Sequence, residues 1–247
     1  MVRRPGLAVF LVALAIRASY VLEIRDLPWF DVPLVDGANY FNLAATIAAG
    51  NLAGGPEVFW QPPLYSYFLA IPFAAHLPVL PFLKGTLALL SLAVAWAIPG
   101  LASASGVLPG KPGDRWVAWV PAWMFLVTPL TIERAADGLE TIPFTLLLVL
   151  ASTWAFAEPH PGRLQARFPR LGLALAALAM MSPDGALVAP VLIAIAGIRG
   201  ARPAQLLRTG FSFALLFGLF LLGRHAYYGE WLPNTYFAQH GGGTAWV

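Results

Sequence analysis

The chain has no cysteine and few charged residues. Of its 247 residues 11% are charged and 59% hydrophobic, and the mean hydropathy is +0.71, whereas a soluble domain usually carries about 25% charged residues. Without cysteine, disulfides and thiolate metal sites are excluded. The basic residues are scattered and form no basic stripe with interleaved aromatics, so no nucleic-acid partner is expected. The composition predicts an all-α polytopic protein whose partner is the lipid bilayer.

Hydropathy predicts seven transmembrane helices. They are residues 6–22, 82–104, 116–131, 142–157, 171–183, 186–198 and 209–223. The first follows Arg3 and Arg4, and we interpret it as a retained span instead of a cleaved signal peptide. The fifth and sixth have about 13 residues each, which is short for a bilayer core. They are expected to form a hairpin, and the alternative is one kinked helix over 171–198.

Charge patterning orients these spans. With the apolar segment 62–77 left outside the membrane, the basic loops 110–116, 159–170 and 199–208 all face the cytoplasm with the N-terminus. Most acidic residues then lie on the other side. The predicted location is a bacterial-type plasma (inner) membrane, crossed several times, with a cytoplasmic N-terminus and an extracytoplasmic working face.

The longest external connection, residues 26–81, is expected to contain two interfacial helices. "DGANYFNLAATIAAGN" places its apolar residues on one helical face and ends at a Gly-Asn stop. "WQPPLYSYFLAIPFAAHL" begins with tandem prolines, carries aromatic residues typical of the headgroup region, and is kept short by Pro72 and Pro78.

Motifs along nearly the whole chain resemble those of one family. They are "PLVDGANYFNLAATIAAGN", "WQPPLYSYFLAIP", "GLETIPFTLLLVL", "MMSPDGALVAP" and "RHAYYGEWLPNTYFAQ". Their order is similar to that in the C-type integral-membrane glycosyltransferases, which take sugars from polyprenyl-phosphate carriers. Protein mannosyltransferases, the lipid A aminoarabinose transferase and mycobacterial arabinofuranosyltransferases belong to this group.

The resemblance implies one membrane-embedded module over residues 1–247, with an external tail over 224–247. Gly37 stands where the family often has glutamate, and Ser182 where it often has arginine. Most members are longer, so the chain corresponds to a fragment or to a minimal version. The expected donor is a polyprenyl-phosphate sugar, and the acceptor is an unidentified glycan, lipid or protein.

In such a transfer the phosphate is already a good leaving group, so one carboxylate acting as general base is enough. The family motif assigns that role to Asp36, with Asp31 as the second candidate. The expected enzyme is an inverting hexosyl- or pentosyltransferase. Asp36 is also a good helix N-cap, which alone would explain an aspartate at this position.

Cations near the outer boundary are candidates for binding the carrier phosphate, and interfacial anchoring is the alternative explanation for them. They are Arg224, Lys84 and Arg134, and Arg17, inside the first span, is a further candidate because a charge there usually faces the bundle interior or a partner. The candidate sugar or acceptor pocket consists of Tyr40, Glu140, Asp184, Tyr65 and Asn234. Glu140 and Asp184 are also carboxylates of the type that bind Mg²⁺ or Mn²⁺, although no ligand spacing establishes a site.

A non-catalytic membrane protein, such as a transporter or a lipid-phosphate-binding subunit, is the alternative function. A transporter is expected to contain internal repeats with interrupted spans in matching halves. The sequence has one short hairpin, at 171–198, without a convincing counterpart.

The cysteine-free chain allows a direct test of the topology. Single cysteines at Ala166 and Gly200 are expected to react with an impermeant thiol reagent only from the cytoplasmic side, and one at Gly55 only from outside. External labelling at Ala166 would mean that 62–77 crosses the membrane, contrary to the predicted seven spans.

Overall fold

The computed structural model describes residues 5–28, 30, 32, 36–54, 63–106, 112–157 and 167–231. Within these ranges the protein is all-helical, as predicted. The elements are α1 Pro5–Ile24, α2 Asp36–Ala48, α3 Leu64–Ala74, α4 Val79–Ser105, a 3-10 helix Pro112–Trp119, α5 Val120–Val127, α6 Pro129–Arg134, α7 Thr141–Phe156, α8 Arg167–Met181, α9 Pro183–Ile198 and α10 Pro203–Tyr228.

Two helices of the described residues, α4 and α10, are long and apolar enough to cross a membrane. They have 27 and 26 residues, and their most apolar windows have mean hydropathies of 1.9 and 1.8. Only 6% of the α10 window is buried against the rest of the protein. Its exposed apolar side chains are Leu207, Phe211, Leu215, Leu216, Leu219 and Leu222.

One end of the helix bundle is defined by contacts of Arg199, at the end of α9. Its Nε donates to the Phe156 carbonyl at 3.0 Å and its Nη2 to the Ala104 carbonyl at 3.4 Å. The Thr209 hydroxyl, in the second turn of α10, donates to the Phe168 carbonyl at 3.1 Å. The ends of α4, α7 and α9 therefore lie at this end of the bundle, which we call the Arg199 end.

The opposite end is covered by α2 and α3, and we call it the α2–α3 end. Both predicted loop helices are present. They pack in one core cluster with the first turns of α4 and α7, in which the buried residues include Tyr40, Tyr65, Leu83 and Ile142. The buried positions of α2 (Gly37, Tyr40, Ala44 and Ile47) follow the helical spacing read from the sequence.

One predicted span is interrupted. Residues 116–131 are not one helix, because Thr128 precedes Pro129 and takes an extended conformation (φ −66°, ψ 124°) that separates α5 from α6. Helix α3 is short, as predicted: it has 11 residues, with Pro72 inside it, and Pro78 lies just before α4.

The hairpin predicted for the fifth and sixth spans is confirmed. Only Ser182, in an extended conformation, separates α8 from α9. Side chains of both helices share one core cluster, including Leu171 and Leu175 of α8 with Ala189 and Leu192 of α9. A single kinked helix would keep these side chains apart, so that alternative is excluded.

The close packing of α8 on α10 predicts the effect of a methyl group at Gly172. A Cβ there would lie 2.3 Å from the Thr209 carbonyl oxygen and 2.7 Å from the Ser212 Cβ, whereas one at Gly218 would meet nothing within 4 Å. Gly172→Ala is therefore expected to lose about 1–3 kcal/mol of stability through overpacking. Gly218→Ala, the matched control, is expected to keep or slightly raise the unfolding temperature measured in detergent. Equal unfolding temperatures would contradict the tight contact.

Candidate functional site

A pocket of about 430 Å³ opens at the α2–α3 end. It lies between the end of α1, the first turn of α2, the start of α4 and the α6–α7 loop. Its lining residues are Tyr20, Ile24, Phe30, Val32, Gly37, Phe41, Leu80, Lys84, Glu133, Ala136, Asp137, Gly138 and Leu139. The volume is in the range of small-molecule sites, roughly 300–1,000 Å³.

Lys84 is the cation in the pocket wall. It lies in the second turn of α4 and is 7% exposed. Its Nζ lies 3.8 Å from the centroid of the Phe30 ring, a cation–π distance. Glu133 and Asp137 line the same pocket. An ammonium group and two carboxylates therefore share one largely apolar cavity.

Asp137 is fixed by two hydrogen bonds. Its Oδ1 accepts from the Leu139 backbone N–H at 2.9 Å, and its Oδ2 accepts from Arg134 Nη1 at 3.0 Å. Burial raises the pKa of Asp137, and the hydrogen bonds from Leu139 and Arg134 oppose that rise. Because both oxygens are occupied, Asp137 shapes the α6–α7 loop and Arg134 offsets its charge.

Asp36 and Tyr40 lie one turn apart on α2. Asp36, in the first turn, is exposed, and Tyr40 is 2% exposed. Burial and the neighbouring Glu140 carboxylate raise the pKa of Tyr40 well above its usual value. Burial likewise raises the pKa of Glu140, while its interaction with the Tyr40 hydroxyl opposes the rise and the charges of Asp137 and Asp36 add to it. The carboxylates of α2 and of the α6–α7 loop are thus electrostatically coupled.

Tyr65 attaches α3 to the same loop. Its fully buried hydroxyl donates to the Gly138 carbonyl at 2.7 Å, and its ring lies 4.9 Å from the Tyr40 ring in an edge-on contact. Gly138 has a positive φ of +84°, and a Cβ there would lie 3.4 Å from Leu83. Glycine is therefore the residue that fits this turn without strain.

The structure brings several predicted site residues together at the α2–α3 end. Lys84 lines the pocket, and Asp36 adjoins its lining residue Gly37. Arg134 does not line the pocket but donates a hydrogen bond to the pocket residue Asp137. The predicted pocket residues Tyr40, Tyr65 and Glu140 lie beside the cavity and do not line it.

Other predicted site residues lie elsewhere. Asp184 is exposed in the first turn of α9, and Arg224 is buried near the C-terminal end of α10. Neither lines the pocket. Asp31 and Asn234 lie outside the described residues.

Arg17 is held within the helix packing below the pocket. Its Nε donates to the Ser91 hydroxyl at 2.6 Å, and its Nη1 donates to the carbonyls of Leu126 at 3.2 Å and Ala13 at 3.3 Å. It is 2% exposed. These contacts join α1, α4 and α5, and they account for a charge inside an apolar helix.

The end of α6 and the α6–α7 loop contribute three pocket residues that were not predicted. They are Glu133, Asp137 and Gly138, and all three line the pocket. The signal was present as an Asp-Gly turn with an arginine three residues before it. Phe30, which covers Lys84, carried no recognisable signal.

Binding of Mg²⁺ or Mn²⁺ stays a prediction. Among the described residues no group of three or more His, Asp or Glu side chains is arranged to hold an ion. Glu140 interacts with Tyr40, and Asp184 lies on a different helix away from the pocket. No chemical step is therefore derived through a metal ion.

Comparison of the chain with models of protein families, with curated proteins and with solved structures finds no match.

The raised pKa of Glu140 predicts a pH dependence of stability. A carboxyl group whose pKa is higher in the folded than in the unfolded state stabilises the fold fully below its ordinary value of 4.5. That contribution is lost as the pH rises from 4.5 to the raised pKa. Glu140→Gln is expected to flatten the dependence of the unfolding temperature on pH over this window. Glu133→Gln, the exposed carboxylate of the neighbouring helix, is the control. Identical pH profiles for wild type and Glu140→Gln would contradict the assignment.

Proposed function

We propose that the protein is a polytopic membrane glycosyltransferase that transfers a sugar from a polyprenyl-phosphate carrier to an acceptor outside the cytoplasm. The observation that carries the proposal is the pocket in which Lys84 lies with Glu133 and Asp137, next to the first turn of α2. This arrangement suits a ligand with an anionic group and several hydroxyls. The motifs shared with C-type glycosyltransferases support the same assignment.

The proposed topology has seven spans. In chain order they are α1, then α4, then one interrupted span formed by the 3-10 helix, α5 and α6, and then α7, α8, α9 and α10. The contacts at the two ends of the bundle support it, because α2 and α3 pack together at one end and the connections after α4, α7 and α9 lie at the other. The charges support the orientation. Arg170, Arg199, Arg202 and Arg208 lie toward the Arg199 end, which is therefore placed in the cytoplasm.

In the proposed complex, the carrier phosphate lies against Lys84. The apolar surfaces of α1 and α4 extend from the pocket along the bundle and suit a polyprenyl chain lying in the bilayer. A buried ammonium attracts a phosphate more strongly than an exposed one, because the local dielectric constant is lower. Glu133 would accept hydrogen bonds from sugar hydroxyls, and the ion pair with Arg134 limits repulsion of the phosphate by Asp137.

Transfer then proceeds as a single displacement. The acceptor hydroxyl oxygen forms a bond to the anomeric carbon while the bond from that carbon to the phosphate oxygen breaks. The phosphate leaves with the electron pair, and Lys84 stabilises its charge. The acceptor proton passes to a carboxylate, and attack from the face opposite the leaving group inverts the anomeric centre.

Asp36 is the proposed base. It is exposed at the pocket end and adjoins the lining residue Gly37. Asp137 is held by Leu139 and Arg134, Glu140 interacts with Tyr40, and the exposed pocket residue Glu133 is assigned to the sugar hydroxyls. Asp36 can therefore reorient toward an acceptor hydroxyl. Asp31 remains the second candidate.

Asp36→Asn is the test of this role. Asparagine keeps the size and the capping ability of aspartate but cannot accept the acceptor's proton, so transfer is expected to fall by roughly 10²–10⁴-fold. Folding and carrier binding are expected to stay normal. Transfer is measured with radiolabelled polyprenyl-phosphate sugars, and stability by thermal unfolding.

Asp36→Ala separates this role from helix capping. If Asp36 only caps α2, Asp36→Asn remains active, and loss of stability is confined to Asp36→Ala. That result would exclude Asp36 as the base and favour Asp31. Carrier binding without turnover of any donor in the wild-type protein would instead favour a non-catalytic lipid-phosphate-binding subunit.

A further inference from the structure

Arg224, near the C-terminal end of α10, is a buried cation that forms no ion pair with the described residues. It is 7% exposed, and its Nε and Nη2 are buried and have no hydrogen-bond partner. Arg17, the other buried arginine among the described residues, has hydrogen bonds from Nε and Nη1, and only its Nη2 has no partner. Arg199, which is partly exposed, binds carbonyls at the ends of α4 and α7.

The two unpartnered nitrogens lie on one edge of the guanidinium group. Nε–H and one Nη2–H point in parallel, and this edge donates two hydrogen bonds to a carboxylate or phosphate. Arginine stays protonated, so it cannot reduce the cost of burial by losing its charge. A buried charge without a partner is unfavourable. The missing contacts are those that one oxyanion would supply.

The described groups around Arg224 do not supply that anion. The charges that act on it there are those of Tyr228, one turn later, and Glu230, which is exposed and forms no ion pair with it. His225 and Tyr227, on the same helix, are exposed. The Tyr228 hydroxyl is already bonded to the Ala53 carbonyl. Tyr67 holds the adjacent Leu52 carbonyl at 2.6 Å. The hydroxyls of Tyr67 and Tyr228 are therefore both bonded to the backbone that follows α2, next to Arg224.

We propose that Arg224 is the bidentate ligand of a phosphate or carboxylate group at a second anion subsite, separate from the pocket. Helix α10 contributes no residue to the pocket lining, so the subsite is distinct from the one that contains Lys84. Both nitrogens are covered in this conformation, and binding requires local movement of the residues that cover them. The anion comes from a lipid headgroup or from a free solute, and both present the same oxygen pair. The subsite does not depend on sugar transfer.

The test measures anion binding to purified protein in neutral phosphatidylcholine nanodiscs. All variants carry Lys84→Gln so that the pocket contributes little. The free-solute probe is inorganic phosphate, and the lipid probe is a short isoprenyl monophosphate. Arg224→Gln is expected to weaken binding by about 10–100-fold, the usual range for losing hydrogen bonds to a charged group. Arg224→Lys keeps the charge but loses the pair of parallel N–H donors, so its affinity is expected to lie between those of the parent and Arg224→Gln. Arg208→Gln, an exposed arginine near the other end of α10, is the control and is expected to bind like its parent.

The pattern of binding identifies the source of the anion and also tests the subsite. Binding that Arg224→Gln abolishes supports the subsite. A higher affinity for the isoprenyl phosphate then indicates a lipid headgroup, and a higher affinity for inorganic phosphate indicates a free solute. Equal affinities for both probes in Arg224→Gln and its parent would overturn the proposal.

Stability without added anion distinguishes a binding role from a structural one. Arg224→Gln is expected to leave the unfolding temperature unchanged or to raise it, because an unpaired buried charge is removed. If Arg224→Gln and Glu230→Gln both lower the unfolding temperature to the same extent, the two residues form an ion pair and the subsite does not exist. Asp36→Asn is expected to keep anion binding, so failure of the proposed catalysis would leave this result unaffected.

Discussion

The hydrogen bond from the Tyr65 hydroxyl to the Gly138 carbonyl is the contact on which the candidate site depends. It joins α3 to the α6–α7 loop, and the edge-on contact of Tyr65 with Tyr40 adds α2 to the same unit. The loop residue Asp137 and Glu133, near the end of α6, line the pocket together with Lys84. Since Tyr65 is fully buried, the loss of either partner would leave an unsatisfied polar group, which usually costs about 1–3 kcal/mol. The pocket wall is therefore attached to the helices that cover the bundle.

Electrostatics follows from this packing. Covering the loop with α2 and α3 removes water from Asp137 and Glu140, and burial raises the pKa of both carboxyl groups. Asp137 is stabilised by Arg134 and by the Leu139 backbone, whereas Asp36 stays exposed at the edge of the site. Asp137 and Glu140 are thus held in the structure, whereas Asp36 and the pocket residue Glu133 are exposed. The two buried arginines differ in degree, because Arg17 donates hydrogen bonds to Ser91 and Leu126 and leaves only Nη2 without a partner, whereas Nε and Nη2 of Arg224 both have none.

Much of the helical architecture could be predicted from the sequence, because apolar periodicity and turn residues are local signals. The two loop helices and the α8–α9 hairpin are examples. The break at Thr128 was not predicted, because a hydropathy window averages over one extended residue. Pro129, directly after it, is the signal that could have predicted the break. The site was harder to predict. Lys84 and the Asp137 turn are about 50 residues apart in sequence and meet only because α4 and α7 run side by side, with Leu83 next to Gly138. The hydrogen bonds of Arg17 to Ser91 and Leu126 also join residues far apart in the sequence, so the sequence could not show how its bonding differs from that of Arg224.

The central claim is that the pocket at the α2–α3 end binds the phosphate of a polyprenyl carrier through Lys84. The most direct measurement is a titration of unsugared polyprenyl phosphate against Arg224→Gln protein with and without Lys84→Gln, because this background removes the second anion subsite. We expect saturable binding to the Arg224→Gln protein. In the protein that also carries Lys84→Gln the dissociation constant is expected to be about 10–100-fold higher, because a charge-assisted contact is lost. Equal binding by the two proteins would contradict a carrier phosphate in this pocket.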